Sequence, residues 1–328
     1  MAFQRFLIKR SAHGLGVLFA LATLLFGIRV IYPGDPAALL AGEEASQEAI
    51  EAVRADLGLD RPVSVQYVDY VSGLVQGDMG NSFVSGTSVA GQILSRLPAT
   101  IELAVAATVI SILLAIPFGI ISATNRNTRL DSAVTLSSLM GVSTPNFWLG
   151  IMLILAVPVA IGVGPTGGRE IGLYQAGVML ATTGNFYGLY QWTSHMILPA
   201  VTLGTYYTAL LTRLTRNGML EEFGKMYITA TKAKGLWRSI ILYKHALRNT
   251  LAPLITILGL QLGRLIGGSV VVEEVFFWPG VGRLFIDAVR SLDWPMIQGT
   301  LLLTALAIVT ANILVDASYT YLDPEVEY

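Results

Sequence analysis

Six apolar stretches, each about 20 residues or longer, constrain this chain more than any other feature. They fall at roughly 11–31, 99–122, 133–162, 195–214, 250–272 and 299–319. About 20 residues of α-helix cross a bilayer core, so each is long enough to span one. The sequence therefore predicts an all-α, polytopic membrane protein with six transmembrane helices. Composition agrees: 53% of the 328 residues are hydrophobic and only 13% are charged, against about 25% charged in soluble domains. The mean hydropathy is +0.62.

Arg5, Lys9 and Arg10 precede the first apolar run. A cleaved signal peptide starts the same way. This run, however, is long enough to span and no clear small-x-small site follows it, which favours an uncleaved first helix.

The formal net charge of −1 hides a strong segregation. Between 34 and 98 stand Asp35, Glu43, Glu44, Glu48, Glu51, Asp56, Asp60, Asp69 and Asp78, against Arg54, Arg61 and Arg96. Between 213 and 248 stand Arg213, Arg216, Lys225, Lys232, Lys234, Arg238, Lys244 and Arg248, against Glu221 and Glu222. Basic loops stay on the cytoplasmic side, so both termini and the 213–248 loop are expected inside and the acidic segment outside. Tyr187, Tyr190, Trp192, Trp278 and Trp294 are expected at the membrane interface, where amphipathic rings collect. Arg29 is expected to snorkel to the headgroups.

This divides the chain into a start and first span (1–31), an extracytoplasmic helical subdomain (32–98) and a core of five spans (99–328) with a cytoplasmic loop at 215–249. In the subdomain, Ala45, Ile50, Val53 and Leu57 have helical spacing over 43–57, with Pro62 as the stop. Residues 63–75 suggest a second short helix. So small a unit buries little core alone and needs the membrane helices for support. The glycine-rich stretch 164–184 is read as an irregular outer loop.

The basic loop carries the function. Thr229, Ala230, Thr231 and Ala233 are small enough for a short helix to seat in a partner's groove, and Gly235 permits a left-handed turn after it. Lys232 and Lys234 suit acidic partner residues or lipid phosphates, and a plain lipid-bound loop would have the same composition. The order of residues separates the two. Pro33-Gly34-Asp35-Pro36, Leu57-Gly58-Leu59-Asp60-Arg61-Pro62, Gly77-Asp78-Met79-Gly80-Asn81-Ser82-Phe83 and Arg96-Leu97-Pro98-Ala99-Thr100 occur in turn. Pro145-Asn146-Phe147-Trp148-Leu149-Gly150 follows, then His-Met-Ile-Leu-Pro-Ala-Val-Thr-Leu-Gly at 195–204, a Val-Glu-Glu-Val-Phe-Phe-Trp-Pro-Gly-Val-Gly-Arg-Leu run at 272–284, and a Leu-Asp-Pro ending. Each element alone is weak, but the ordered set resembles, over nearly the whole chain, the first-subunit permeases of dipeptide, oligopeptide and nickel ABC importers.

That resemblance implies the type I importer-permease fold and a non-catalytic membrane subunit. Its partners would be a second homologous permease, two ATPases that bind ATP and Mg²⁺, and an extracytoplasmic binding protein, with lipid around it and no nucleic acid. This chain would hold no cofactor. ATPase coupling falls to Tyr227, Thr229, Ala230, Thr231, Lys232, Ala233, Lys234 and Gly235. Met226 stands where the family usually has an acid, which removes one charged contact. The outer acidic segment and the 272–283 loop would meet the binding protein, with Glu48, Glu51, Asp56, Trp278 and Arg283 as docking candidates. Peptides are the expected cargo. Nickel chelates, opines and oligosaccharides are the alternatives.

Arg264 stands near the middle of the fifth span, where a charge costs about 2.5–3.5 kcal/mol on insertion scales and usually faces a cavity or a partner. With Gln261, Gly263 and Gly267 it forms the pathway or gate candidates. Gly259, Gly263 and Gly267 also have the spacing of close helix packing. Pro145 is expected to kink the third span.

A secondary transporter would need intramembrane carboxylates or matched broken helices in inverted halves, and neither is seen. No P-loop, His-Glu-x-x-His or other catalytic set is visible. The chain has no cysteine, which excludes disulfides, thiolate catalysis and Cys-based metal sites.

Overall fold

The computed structural model describes residues 2–32, 34–42 and 44–322, and among these it is built from helices and turns. In chain order the helices are α1 (Ala2–Ile31), α2 (Pro36–Ala41), α3 (Gln47–Asp56), α4 (Val63–Val75), α5 (Val89–Thr124), α6 (Arg129–Ser143) and α7 (Asn146–Ile154). There follow α8 (Leu173–Thr183), α9 (Tyr187–Phe223), α10 (Met226–Ala233), α11 (Arg248–Gly268), α12 (Val270–Val275), α13 (Val281–Arg290) and α14 (Trp294–Leu322). Two π-helical pieces, Leu155–Ile161 and Ile240–Leu247, extend α7 and lead into α11.

Among the described residues, three stretches are long and apolar enough to cross a membrane unaided: Phe6–Ile31, Val89–Thr124 and Trp294–Leu314. The stretch 133–162 is not one helix. α6 and the α7 segment meet at Thr144–Pro145 with a bend of 102°. Proline disfavours helical backbone in the residue before it, and Thr144 is accordingly extended. The expected fourth span lies inside the much longer α9. The expected fifth, 250–272, breaks at Ser269 between α11 and α12.

The centre of the molecule is the seam between α5 and α9. Ala107, Ser111, Ala115 and Gly119 recur every fourth residue on α5, and all are buried. Small side chains let two backbones approach closely. Ser111 Oγ donates to Gly204 O across the seam at 2.9 Å, and a Cβ on Gly119 would meet the Thr215 side chain at 2.5 Å. Around this seam Leu103, Met196, Leu203, Leu265 and Phe276 form the main apolar core.

Several sequence expectations need correction. The helix expected over 43–57 starts at Gln47, because the Ser46 side chain caps it by accepting the Ala49 N–H at 3.3 Å. Glu43 lies outside the described residues. Pro62 does not end α3. It stands at the start of α4, and α3 stops at Leu57 ahead of Gly58, whose φ is +64°. The stretch 164–184 contains a regular helix, α8. Trp278 and Trp294 are core residues, at 0% and 6% exposure, rather than interfacial anchors. Tyr187 and Tyr190 are exposed. Arg29 is held within the chain by Gln66 Oε1 at 2.7 Å. The subdomain leans on the long helices, with Tyr70 and Leu74 of α4 packed against Leu25 of α1 and Leu302 of α14.

Candidate coupling and docking surfaces

The basic loop is a short helix on a rigid mount. α9 ends at Gly224, Lys225 is extended, and α10 runs from Met226 to Ala233. Gly235 then takes φ +72°, a left-handed turn that glycine accepts without steric cost. Ile228 is fully buried against Ile120, Met219, Ile241 and Ala246, which fixes the inner face of α10.

A polar clamp completes the mount. The buried Glu222 carboxylate accepts hydrogen bonds from Lys225 Nζ (2.5 Å), the Tyr227 hydroxyl and Asn249 Nδ2 (3.3 Å). Asn249 also donates to the Tyr227 hydroxyl at 2.8 Å. One carboxylate thus joins the end of α9, α10 and the start of α11. Burial pushes the Glu222 carboxyl up, but its bonds to Lys225, Tyr227 and Asn249 outweigh that and hold it below its usual range. A second clamp stands nearby. Asp131 of α6 takes a bidentate pair from Arg216 of α9 at 2.8 and 2.8 Å, and Ser122 of α5 donates to it at 2.5 Å.

The outward face of α10 is Met226, Thr229, Ala230 and Ala233, at helical spacing and all exposed. Lys232, Lys234 and Gly235 are exposed beside it, as is Trp237 at 78%. Two of the coupling candidates turn inward instead. Tyr227 is tied to Glu222, and Thr231 Oγ1 donates to Ile228 O at 2.8 Å. Sequence reading missed Glu222 and Trp237. Glu222 carried a signal, being one of two acids in a basic stretch.

At the opposite end of α5, much of the 272–284 run is buried. Glu273 is fully buried and accepts from Thr100 Oγ1 (2.8 Å), Ser269 Oγ (2.6 Å) and the Arg283 N–H (3.1 Å). Gly280 and Gly282 lie so close that a Cβ on either would strike the Glu273 carboxylate. Trp278, expected to dock a partner, donates its indole N–H to Ala99 O at 2.9 Å and has no exposed surface. Arg283 is half-buried and stacks over the exposed Phe277 ring at 4.9 Å. Glu48, Glu51 and Asp56 are exposed on α3. Glu51 pairs with Arg54 at 3.1 Å.

Of the pathway candidates, Gln261 is buried. Gly263 packs within the chain, since a Cβ there would meet Ala311 of α14 at 2.5 Å. That is the close helix packing its spacing suggested. The side chain of Arg264 and the surroundings of Gly267 lie outside the described residues. A mainly apolar cleft of about 260 Å³ lies between α5, α6 and α9, lined by Ile110, Leu114, Phe118 and Val201 with Ser137, Thr205 and Thr208 among them.

The model of the family "binding-protein-dependent transport system inner membrane component" matches residues 115–328, and that of its N-terminal part matches residues 3–104. The chain belongs to this family. Among its relatives, this permease is 38% identical to the oligopeptide transport system permease protein AppB of Bacillus subtilis (strain 168), over 98% of this chain and 99% of that one. It is 37% identical to the dipeptide transport system permease protein DppB of Escherichia coli (strain K12), over 99% of both. It is 38% identical to the glutathione transport system permease protein GsiC of Escherichia coli O6:H1, over 98% and 99%. The inward-facing MetNI methionine ABC transporter matches with a TM-score of 0.53 over 70% of this chain and 96% of that one. At 17% identity this likeness concerns the fold, which is that of an ABC-importer permease.

Proposed function

We propose that this permease imports peptides by coupling to an ATPase through the outward face of α10. The observation that carries the reading is that face: Thr229, Ala230 and Ala233 are small and exposed on a helix pinned from behind by Ile228 and Glu222. A helix so held transmits a push to α9 and α11 without flexing. The names of the relatives support peptides as cargo.

In this reading the complex contains a second homologous permease, two ATPases and an extracytoplasmic binding protein. ATP and Mg²⁺ bind on the ATPases, and this chain makes and breaks no covalent bond. Both termini are cytoplasmic, following the positive-inside pattern. The cleft between α5, α6 and α9 and the Arg264 position are the pathway candidates, and Glu48, Glu51, Asp56 and Arg283 meet the binding protein.

Cross-linking tests this. The chain has no native cysteine, so Ala230→Cys reports cleanly. Ala230→Cys is expected to form a nucleotide-sensitive cross-link to an ATPase subunit carrying a single cysteine in its groove. Cross-linking only to lipid-facing probes would leave α10 an interfacial loop.

A further inference from the structure

Phe277 stands in a backbone position that its residue type disfavours. It follows α12, whose end is closed by the Trp278 N–H on Glu273 O (2.8 Å) and the Phe277 N–H on Glu274 O (3.2 Å). A closure of this kind places the residue after the cap in the left-handed region, where glycine is usual. Phe277 accordingly has φ +51°. Gly162 and Gly184 take left-handed turns at the ends of the Leu155–Ile161 segment and of α8. A bulky side chain in that region crowds its own backbone, and such strain collects at functional positions. Burial gives no reason for the ring. Phe276 and Trp278 are 1% and 0% exposed, whereas Phe277 is 61% exposed. Two other non-glycine residues have positive φ among the described residues. Asn127 is of a type that tolerates it, and Leu292 is half-buried.

The ring is held in place from one side. Arg283 Nη1 donates to Phe277 O at 2.9 Å, and the guanidinium carbon lies 4.9 Å from the ring centroid, a cation–π contact. Gly168 N–H donates to Phe276 O at 2.7 Å and ties a second loop to the base of the same turn. Glu274 is taken by Arg290 at 2.8 Å, and Glu273 accepts the main-chain N–H of Arg283. Among the described residues no carboxylate pairs with the Arg283 side chain. The turn thus presents an apolar ring beside a positive charge that lacks a counter-ion. It is fixed to the Thr100 end of α5 through Glu273, while α10 packs at the Ile120 end through Ile228. Those two points are roughly 30 Å apart along the helix, about the thickness of a bilayer core. Phe277 therefore lies at the face of the permease opposite the coupling helix.

We propose that Phe277 is the residue on which the extracytoplasmic binding protein anchors, entering an apolar slot whose rim carries an acidic group for Arg283. This rests on the reading that such a protein is a partner of the complex. A few central aromatic and arginine side chains carry most of the energy of an interface. A ring already fixed by its turn and by Arg283 loses little freedom on docking. Arg283 is the positioning residue.

The test is a fluorescence titration of the assembled importer in nanodiscs, with ATP present, using the labelled binding protein of the same importer. Phe277→Gly is expected to raise Kd about tenfold or more. Without binding protein its Tm is expected to be unchanged or higher, since glycine takes the left-handed turn without steric cost. Phe277→Trp keeps an aromatic ring and should stay within about threefold of wild type. Arg283→Gln should weaken docking at low salt and much less at high salt. Wild-type affinity in Phe277→Gly overturns the inference and leaves the ring to the lipid interface. A Phe277→Gly complex whose Tm falls along with its affinity also overturns it, because the ring would then be structural. So does Phe277→Trp docking as poorly as Phe277→Gly. Absence of binding by the wild-type complex sinks the partner reading itself. Normal wild-type binding with indifferent variants sinks only the role of Phe277.

Discussion

The Tyr227 hydroxyl, on α10, donates to the buried carboxylate of Glu222, the penultimate residue of α9. A contact five residues apart thereby ties the exposed helix to the longest helix of the permease. Glu222→Ala would strip the shared acceptor from Lys225, Tyr227 and Asn249. It is expected to cost about 1–3 kcal/mol and to loosen α10. In proteoliposomes, ATP hydrolysis should then continue while uptake falls. Uptake that stays tightly coupled to hydrolysis would show the clamp to be dispensable.

The same carboxylate sets a pH dependence. Its folded-state value is lowered from the ordinary 4.5. Its contribution to stability is therefore fully present above that ordinary value and lost as pH falls through the lowered one. Between pH 6 and 8, wild type and Glu222→Gln are expected to show parallel Tm profiles, about level in their difference. The difference should shrink only in acid, and a difference that grew on acidification would contradict the lowered value.

Arg216→Ala leaves the buried Asp131 carboxylate with only Ser122 Oγ and the Asn127 N–H. Removing one partner of a buried ion pair typically costs about 3–5 kcal/mol. The double variant Asp131→Asn/Arg216→Ala should recover part of it, read as Tm of the detergent-solubilised permease. Equal Tm for the single and double variants would mean the pair is not coupled.

Topology is tested with two cysteines in a chain that has none. Ala52→Cys lies on exposed α3 and Ser239→Cys near α10, both exposed. An impermeant thiol reagent on intact cells is expected to label only the first. Equal labelling would overturn the orientation.

Much of this was legible in the sequence because membrane spans announce themselves by length and apolarity, and because Gly235 and Pro145 act through the backbone. Gly235 takes its left-handed turn, and the helix ahead of Pro145 stops. What escaped was what depends on distant partners. Glu273 reads as a loop acid until Thr100 and Ser269 close around it, and Trp278 reads as interfacial until Ala99 takes its N–H. The Ala107, Ser111, Ala115, Gly119 seam was present as spacing but masked by the apolar residues around it. Glu48 and Asp56 are exposed where docking was expected, whereas Tyr227 and Thr231 face inward because their hydroxyls find acceptors within the loop.

The most direct measurement is ATP-driven uptake by the reconstituted transporter carrying Ala233→Trp. Ala233 is exposed on the small face of α10 and makes no contribution to the Ile228 core. The variant should therefore insert and fold as wild type does. Uptake is expected to fall to background, because an indole at that position keeps the helix out of the ATPase groove. Wild-type uptake by a correctly assembled Ala233→Trp transporter would contradict coupling through α10.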